Sequence, residues 1–130
     1  MISRKTILAF LLFGIAVVLS GCWYVVVGAG AAGTVGYVMG DLQSVESADI
    51  NTVYDATLKA VEQLELPVIQ KSKDAISAKV KLRDSQDKKI TIKLGATAER
   101  ATKLSIRVGI FGNERKSRLI YDQIKKNLPK

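Results

Sequence analysis

The sequence predicts an α+β domain: an antiparallel sheet with two helices packed on one face, in the order β-α-β-β-β-α, preceded by a short leader. Three observations carry this expectation. Between residues 76 and 110, apolar side chains alternate with basic or small polar ones at the two-residue period of a half-buried strand. Residues 50–65 and 114–128 instead repeat apolar side chains at three- and four-residue spacings, which places them on one stripe of a helix. The alternating runs are joined by short polar stretches, as antiparallel hairpins require. An aliphatic sheet face and two apolar helix stripes bury one another when both helices lie on the same side. With 130 residues there is room for one such domain.

The leader comes first. Arg4 and Lys5 form a positive n-region, and Thr6 to Leu19 is an uncharged aliphatic run of fourteen residues. That is the length of a secretory h-region and too short to cross about 30 Å of hydrocarbon. Leu19-Ser20-Gly21-Cys22 follows, with small residues that let the backbone enter a peptidase cleft in extended form and the chain's only thiol. This order resembles the lipobox of bacterial lipoprotein precursors, and the resemblance implies cleavage before Cys22 with lipid on its sulfur. Residues 1–21 are then a signal peptide. The competing reading is a membrane anchor that happens to contain a cysteine.

Residues 22–36 read as a lipidated Gly/Ala-rich tether. Trp23 and Tyr24 would lie at headgroup level, where amphipathic rings settle. The alternative is a helix whose small residues Gly33, Gly36 and Gly40 pack against membrane or a partner helix, Gly36 to Gly40 being a G-x-x-x-G. So many glycines, each costing a helix about 1 kcal/mol, favour the tether. Val25-Val26-Val27 followed by Gly28, Gly30 and Gly33, with Asp49 further on, also matches a dinucleotide-binding fingerprint. Its context rejects that reading, because a lipidated start leaves no buried first strand and the spacing leaves no room for a βαβ unit.

The α+β periplasmic domain is expected over residues 37–130. A first strand runs from about Tyr37 to Ser47. Asp49 then caps a helix from Ile50 to about Glu65, with Val53, Tyr54, Thr57, Leu58, Val61 and Leu64 on its apolar stripe. Pro67 ends it. Three strands follow, with Ile76, Ala78, Val80 and Leu82 facing inward on the first, Ile90, Ile92 and Leu94 on the second, and Leu104, Ile106, Val108 and Ile110 on the third. Asp84 to Asp87 and Ala98 to Ala101 supply the turns. Asn113 caps the last helix, whose inward residues are Ser117, Ile120, Tyr121, Ile124 and Leu128, with Lys125 and Lys126 near its negative end.

Composition narrows the chemistry. The chain has no histidine, which removes the commonest proton-transfer group near neutral pH and the commonest metal ligand. Its single cysteine allows no internal disulfide. No cofactor or metal is expected. Net charge is +8, or +6 once Arg4 and Lys5 leave with the leader. From Pro67 onward there are 17 bases and six acids, so this half carries +11. Such a balance points to an anionic envelope component or an acidic protein. Export argues against nucleic acid. Lys79, Lys81, Arg83, Lys93 and Arg107 fall on the face opposite the core and are the candidate anionic-partner face. A solvated sheet face kept soluble by lysines is the plainer alternative. Asp74, Asp84 and Asp87 lie in turns, where carboxylates commonly accept backbone N–H groups, so paired-carboxylate catalysis finds little support and the chain is read as non-catalytic.

Several segments together resemble the small bacterial lipoproteins grouped as domain of unknown function 3568. They are the lipobox, the Val-Val-Gly-Ala-Gly-Ala-Ala-Gly run from Val26, Val53-Tyr54-Asp55-Ala56-Thr57, Asp74 to Lys79, and the Leu104 to Gly112 strand. The resemblance implies a Gram-negative envelope lipoprotein and transfers no catalytic residue. In lipoproteins of this class an aspartate after the cysteine commonly signals inner-membrane retention. Trp23 stands there instead, which implies the outer membrane, with the domain facing the periplasm. The expected function is a membrane-anchored interaction or structural module, the alternative being a glycine-rich segment that acts as a membrane assembly element.

Overall fold

The computed structural model describes residues 3–12 and 35–130. The lipobox residues Leu19, Ser20, Gly21 and Cys22, and the tether as far as residue 34, lie outside the described residues. The chain divides into two units, Met1–Ala31 and Ala32–Lys130. In the first, a helix over residues 4–12 (α1) begins where the Ser3 carbonyl accepts from the Thr6 and Ile7 N–H groups and from the Thr6 hydroxyl. Among the described residues no helix is long and apolar enough to cross a membrane.

The second unit is α+β, built on one six-stranded antiparallel sheet. Its elements are β1 (Val35–Val38), β2 (Asp41–Glu46), α2 (Ile50–Gln63), β3 (Val68–Lys73), β4 (Ser77–Arg83), β5 (Lys89–Ala98), β6 (Ala101–Val108) and α3 (Glu114–Asn127). The strands lie in the order β1-β2-β6-β5-β4-β3. The domain order is therefore β-β-α-β-β-β-β-α, two strands more than the sequence led us to expect.

Both added strands have local causes. The expected first strand folds back on itself as a hairpin, with Val38 paired to Asp41 around Met39-Gly40. Both turn residues have positive φ, +51° and +90°, as in the tight two-residue turns whose twist matches that of the flanking strands. This also overturns the helical G-x-x-x-G alternative over Gly36 to Gly40, because Gly36 lies in a strand and Gly40 in a turn. The segment after Pro67 forms the edge strand β3, which the sequence pattern hid because all six residues are exposed and no apolar alternation marks a buried face. Lys71 and Lys73 stand opposite Val80 and Ala78, on the core side of the sheet. Charges pointing inward at an edge discourage another strand from adding there.

Elsewhere the pattern is met with two corrections. Across the middle of the sheet Leu42, Ile106, Ile92 and Val80 form one row of partners, all with zero exposure. Burial of each such side chain contributes roughly 1.5–3 kcal/mol. Ile76 and Ile110 do not join the core. They are 69% and 82% exposed, because β4 starts only at Ser77 and β6 ends at Val108, where Gly109 takes φ +73° and turns the chain.

Helices α2 and α3 pack against each other and against the aliphatic face. The buried side of α2 is made of Ile50, Val53, Ala56, Thr57, Ala60 and Val61, so the expected stripe is corrected: the small Ala56 and Ala60 let the helix sit close to the sheet, and Tyr54, Leu58 and Leu64 are only partly covered at its margins. On α3, Ser117, Ile120, Tyr121 and Ile124 are buried and Leu128 is partly so. Asp49 and Asn113 are the N-caps, accepting from the N–H groups of Thr52 and Lys116. The Asp49 carboxyl is held below its ordinary range, first by the Thr52 hydroxyl and then by backbone N–H groups. At the other end of α2, Glu65 adopts φ +57° and the Leu66 N–H returns to the Val61 carbonyl at 2.9 Å, so the helix stops before Pro67.

Candidate functional site

Because strand side chains alternate, fixing Val80, Ile92 and Ile106 inward sends their neighbours to the outer face. That face gathers Lys79, Lys81, Arg83, Lys93 and Arg107 on three adjacent strands. The register adds detail that the sequence could not supply. Lys79 lies directly opposite Lys93, Arg83 opposite Lys89, and Lys81 opposite Thr91, which in turn faces Arg107. Lys89 and Lys103 belong to the same face and were missed. Lys89 sits beside the expected Asp84 to Asp87 turn, and the strand holding Lys103 was read as starting one residue later, at Leu104.

The seven cations are not equivalent. Arg107 is held by the chain itself: its guanidinium donates to Asp41 Oδ1 at 3.0 Å, to the Met39 carbonyl at 3.1 Å and to the Ile110 carbonyl at 2.6 Å. Arg83 pairs with Asp87 at 2.8 Å. Lys79, Lys81, Lys89, Lys93 and Lys103 have no carboxylate within salt-bridge distance among the described residues. Like charges placed directly opposite destabilise an antiparallel pair. The Lys79/Lys93 pair therefore concentrates positive charge at a cost to the isolated fold, whereas Arg83 opposite Lys89 is offset by Asp87.

The turn acids serve the backbone and nearby cations. Asp74 accepts from the N–H groups of Ile76 and Ser77 and from the Ser77 hydroxyl, at 2.8 to 2.9 Å. Its carboxyl is held low by these bonds, the Ile76 N–H first. Asp84 accepts from the Lys116 ammonium at 2.7 Å and from the N–H groups of Gln86 and Lys88, and the Lys116 bond is the largest cause of its lowered pKa.

One acid went unnoticed in the sequence as a buried group. Glu46 is 2% exposed and accepts from the Ser44 hydroxyl at 2.8 Å, the Tyr121 hydroxyl at 2.9 Å and the Lys125 ammonium at 3.0 Å. Burial, and then the bond it donates to Glu46, raises the Tyr121 phenol pKa above its ordinary range, so the ring remains a neutral donor. The clue was in the strand: with Leu42 facing inward, Ser44 and Glu46 must do so too. Each Glu46 oxygen has a donor, so the group fastens α3 to β2.

Fold and face together define a small α+β domain with one helix-covered sheet face and one open basic face. The chain matches the family described as Protein of unknown function (DUF3568) over residues 5–127, and it belongs to that family. A search of curated proteins finds no match.

Proposed function

We propose that the protein is a lipid-anchored cell-envelope protein whose α+β domain is a non-catalytic binding module for an anionic envelope component. The observation that carries the binding role is the Lys79/Lys93 pair, two cations set opposite each other on the open face with no carboxylate to neutralise them among the described residues. An anionic ligand would relieve the repulsion that the fold alone leaves in place. In this reading residues 1–21 are removed, Cys22 carries the lipid, the expected tether 22–36 gives up Val35 and Gly36 to β1, and the domain faces the periplasm from the outer membrane. The Leu19-Ser20-Gly21-Cys22 order supports the anchor, and Trp23 supports the outer membrane.

Anchor and binding face are tested separately. Metabolic labelling with palmitate should mark the wild-type chain and not Cys22→Ser, which should persist as an uncleaved precursor. An unlabelled wild-type chain that reaches the membrane at full length would refute the anchor. For the face, in vivo cross-linking followed by purification should recover an envelope component with the wild type and lose it when Lys79, Lys81 and Lys93 are all changed to glutamate. Unchanged recovery would leave the face as a solvated surface only.

A further inference from the structure

At the end of the sheet where β1 turns into β2 and β6 leaves for α3, four apolar side chains stand free. Val38, Met39, Ile110 and Phe111 are 54%, 90%, 82% and 90% exposed. They belong to two turns joined into one unit. Arg107 donates to carbonyls of both, Met39 in one and Ile110 in the other. Gly112 lies so close to the Gly40 backbone and the Tyr37 hydroxyl that any side chain there would collide with them. Beside the turns, on the outer face, is an open cleft of about 650 Å³ whose lining includes Arg83, Lys88, Lys89, Ile110 and Phe111.

We propose that this tip docks on an anionic phospholipid surface, with Met39, Ile110 and Phe111 entering the acyl boundary and Arg83, Lys88 and Lys89 taking headgroup phosphates in the cleft. The proposal rests on the anionic-surface reading of the neighbouring face and adds where and how the domain meets lipid. Folding does not call for these apolar residues. Met39 holds a left-handed backbone that asparagine or glycine would adopt more readily, and it spends its side chain on solvent. Apolar side chains exposed on turns, with cations along the cleft beside them, match the layered chemistry of a membrane interface, apolar beneath and anionic at the surface. Lys88 and Lys89 have no carboxylate partner among the described residues, and Arg83's partner Asp87 is 81% exposed and can be displaced. The sequence leading to the tip also carries no charge from Thr6 to Gly40.

The test uses the full chain with Cys22→Ser, so that Phe111→Cys is its only thiol, labelled with an environment-sensitive fluorophore. The labelled protein is added to phosphatidylcholine vesicles with and without phosphatidylglycerol. A matching label at Ile76→Cys, exposed at the opposite end of the sheet, is the control. Lipid-borne quenchers should reach position 111 several-fold more than position 76, only with phosphatidylglycerol present, and this should be lost with Lys88→Glu/Lys89→Glu. Equal quenching at both positions would overturn the proposal, as would quenching at 111 indifferent to phosphatidylglycerol or to the two lysines. Shielding at 111 without vesicles, rising with protein concentration, would assign the tip to a second copy and also overturn it. Lys79→Glu/Lys93→Glu separates the two readings: retained quenching at 111 with lost cross-linking places lipid at the tip and another anion on the face.

Discussion

The two ends of β2 break the same rule in opposite directions. At the Glu46 end a carboxylate, two hydroxyls and the end of a lysine meet where apolar atoms would be expected, whereas at the Asp41 end Met39, Ile110 and Phe111 meet water. The first inversion is explained within the molecule, because each Glu46 oxygen accepts a hydrogen bond and the cluster ties α3 to the sheet. The second has no such explanation. Those side chains are 82–90% exposed, and Met39 adds a left-handed backbone that costs a residue other than glycine roughly 1–2 kcal/mol. A buried polar group with partners reports on folding. An exposed apolar group held in place at a cost is what the proposed lipid docking would explain.

The largest effect expected comes from moving a carboxylate away from its donors. Ile106→Asp places one in the middle of the fully buried row, and a loss of about 4 kcal/mol or more should abolish the cooperative urea transition. Glu46→Ala removes the carboxylate that already has donors and leaves the Tyr121 and Ser44 hydroxyls without an acceptor. A loss of about 3 kcal/mol should lower the unfolding midpoint in urea, with Tyr121→Phe costing about 1 kcal/mol. A Glu46→Ala protein as stable as the wild type would erase the contrast between the ends.

At the other end the sign should reverse. Met39→Asn should raise stability by about 1 kcal/mol, since asparagine tolerates the positive φ and little packing is lost, and thermal unfolding would measure it. Destabilisation instead would mean that Met39 serves the fold. The smallest effect concerns acid. The folded pKa of Asp84 lies below its ordinary 3.8, so its contribution is complete above that value and fades as pH falls through the folded pKa. Asp84→Asn should therefore be less stable than the wild type at neutral pH, and the gap should close in urea titrations taken progressively below pH 3.8.

The contrast between the ends also marks how far the residues could be read without coordinates. Alternation in 77–108 located the two sheet faces, and Lys79, Lys81, Arg83, Lys93 and Arg107 were placed together from it. What alternation could not show is which of those cations keep their charge free. Arg107 lies 66 residues from Asp41, and only strand pairing brings them to 3.0 Å. Pro67 was read as a strand entry, but Val68–Lys73 was not recognised as a strand of its own, because an edge strand exposed along its whole length carries no apolar signature.

By itself the sequence determined much of what acts within about one turn or one strand: the buried stripe of α3, Val53, Thr57 and Val61 on that of α2, the Asp49 and Asn113 caps, and the inward rows of β4, β5 and β6 apart from Ile76 and Ile110. Side-chain period and cap chemistry are local and need no partner to be legible. Only the tertiary structure decided the strand order, the splitting of the first strand into a hairpin and the clamp that joins its turn to the loop after β6. It also decided the burial of Glu46 beneath Tyr121 and Lys125, 75 and 79 residues away. These depend on which distant surfaces meet, and that choice belongs to the packing of the whole sheet against its two helices rather than to any one stretch of chain.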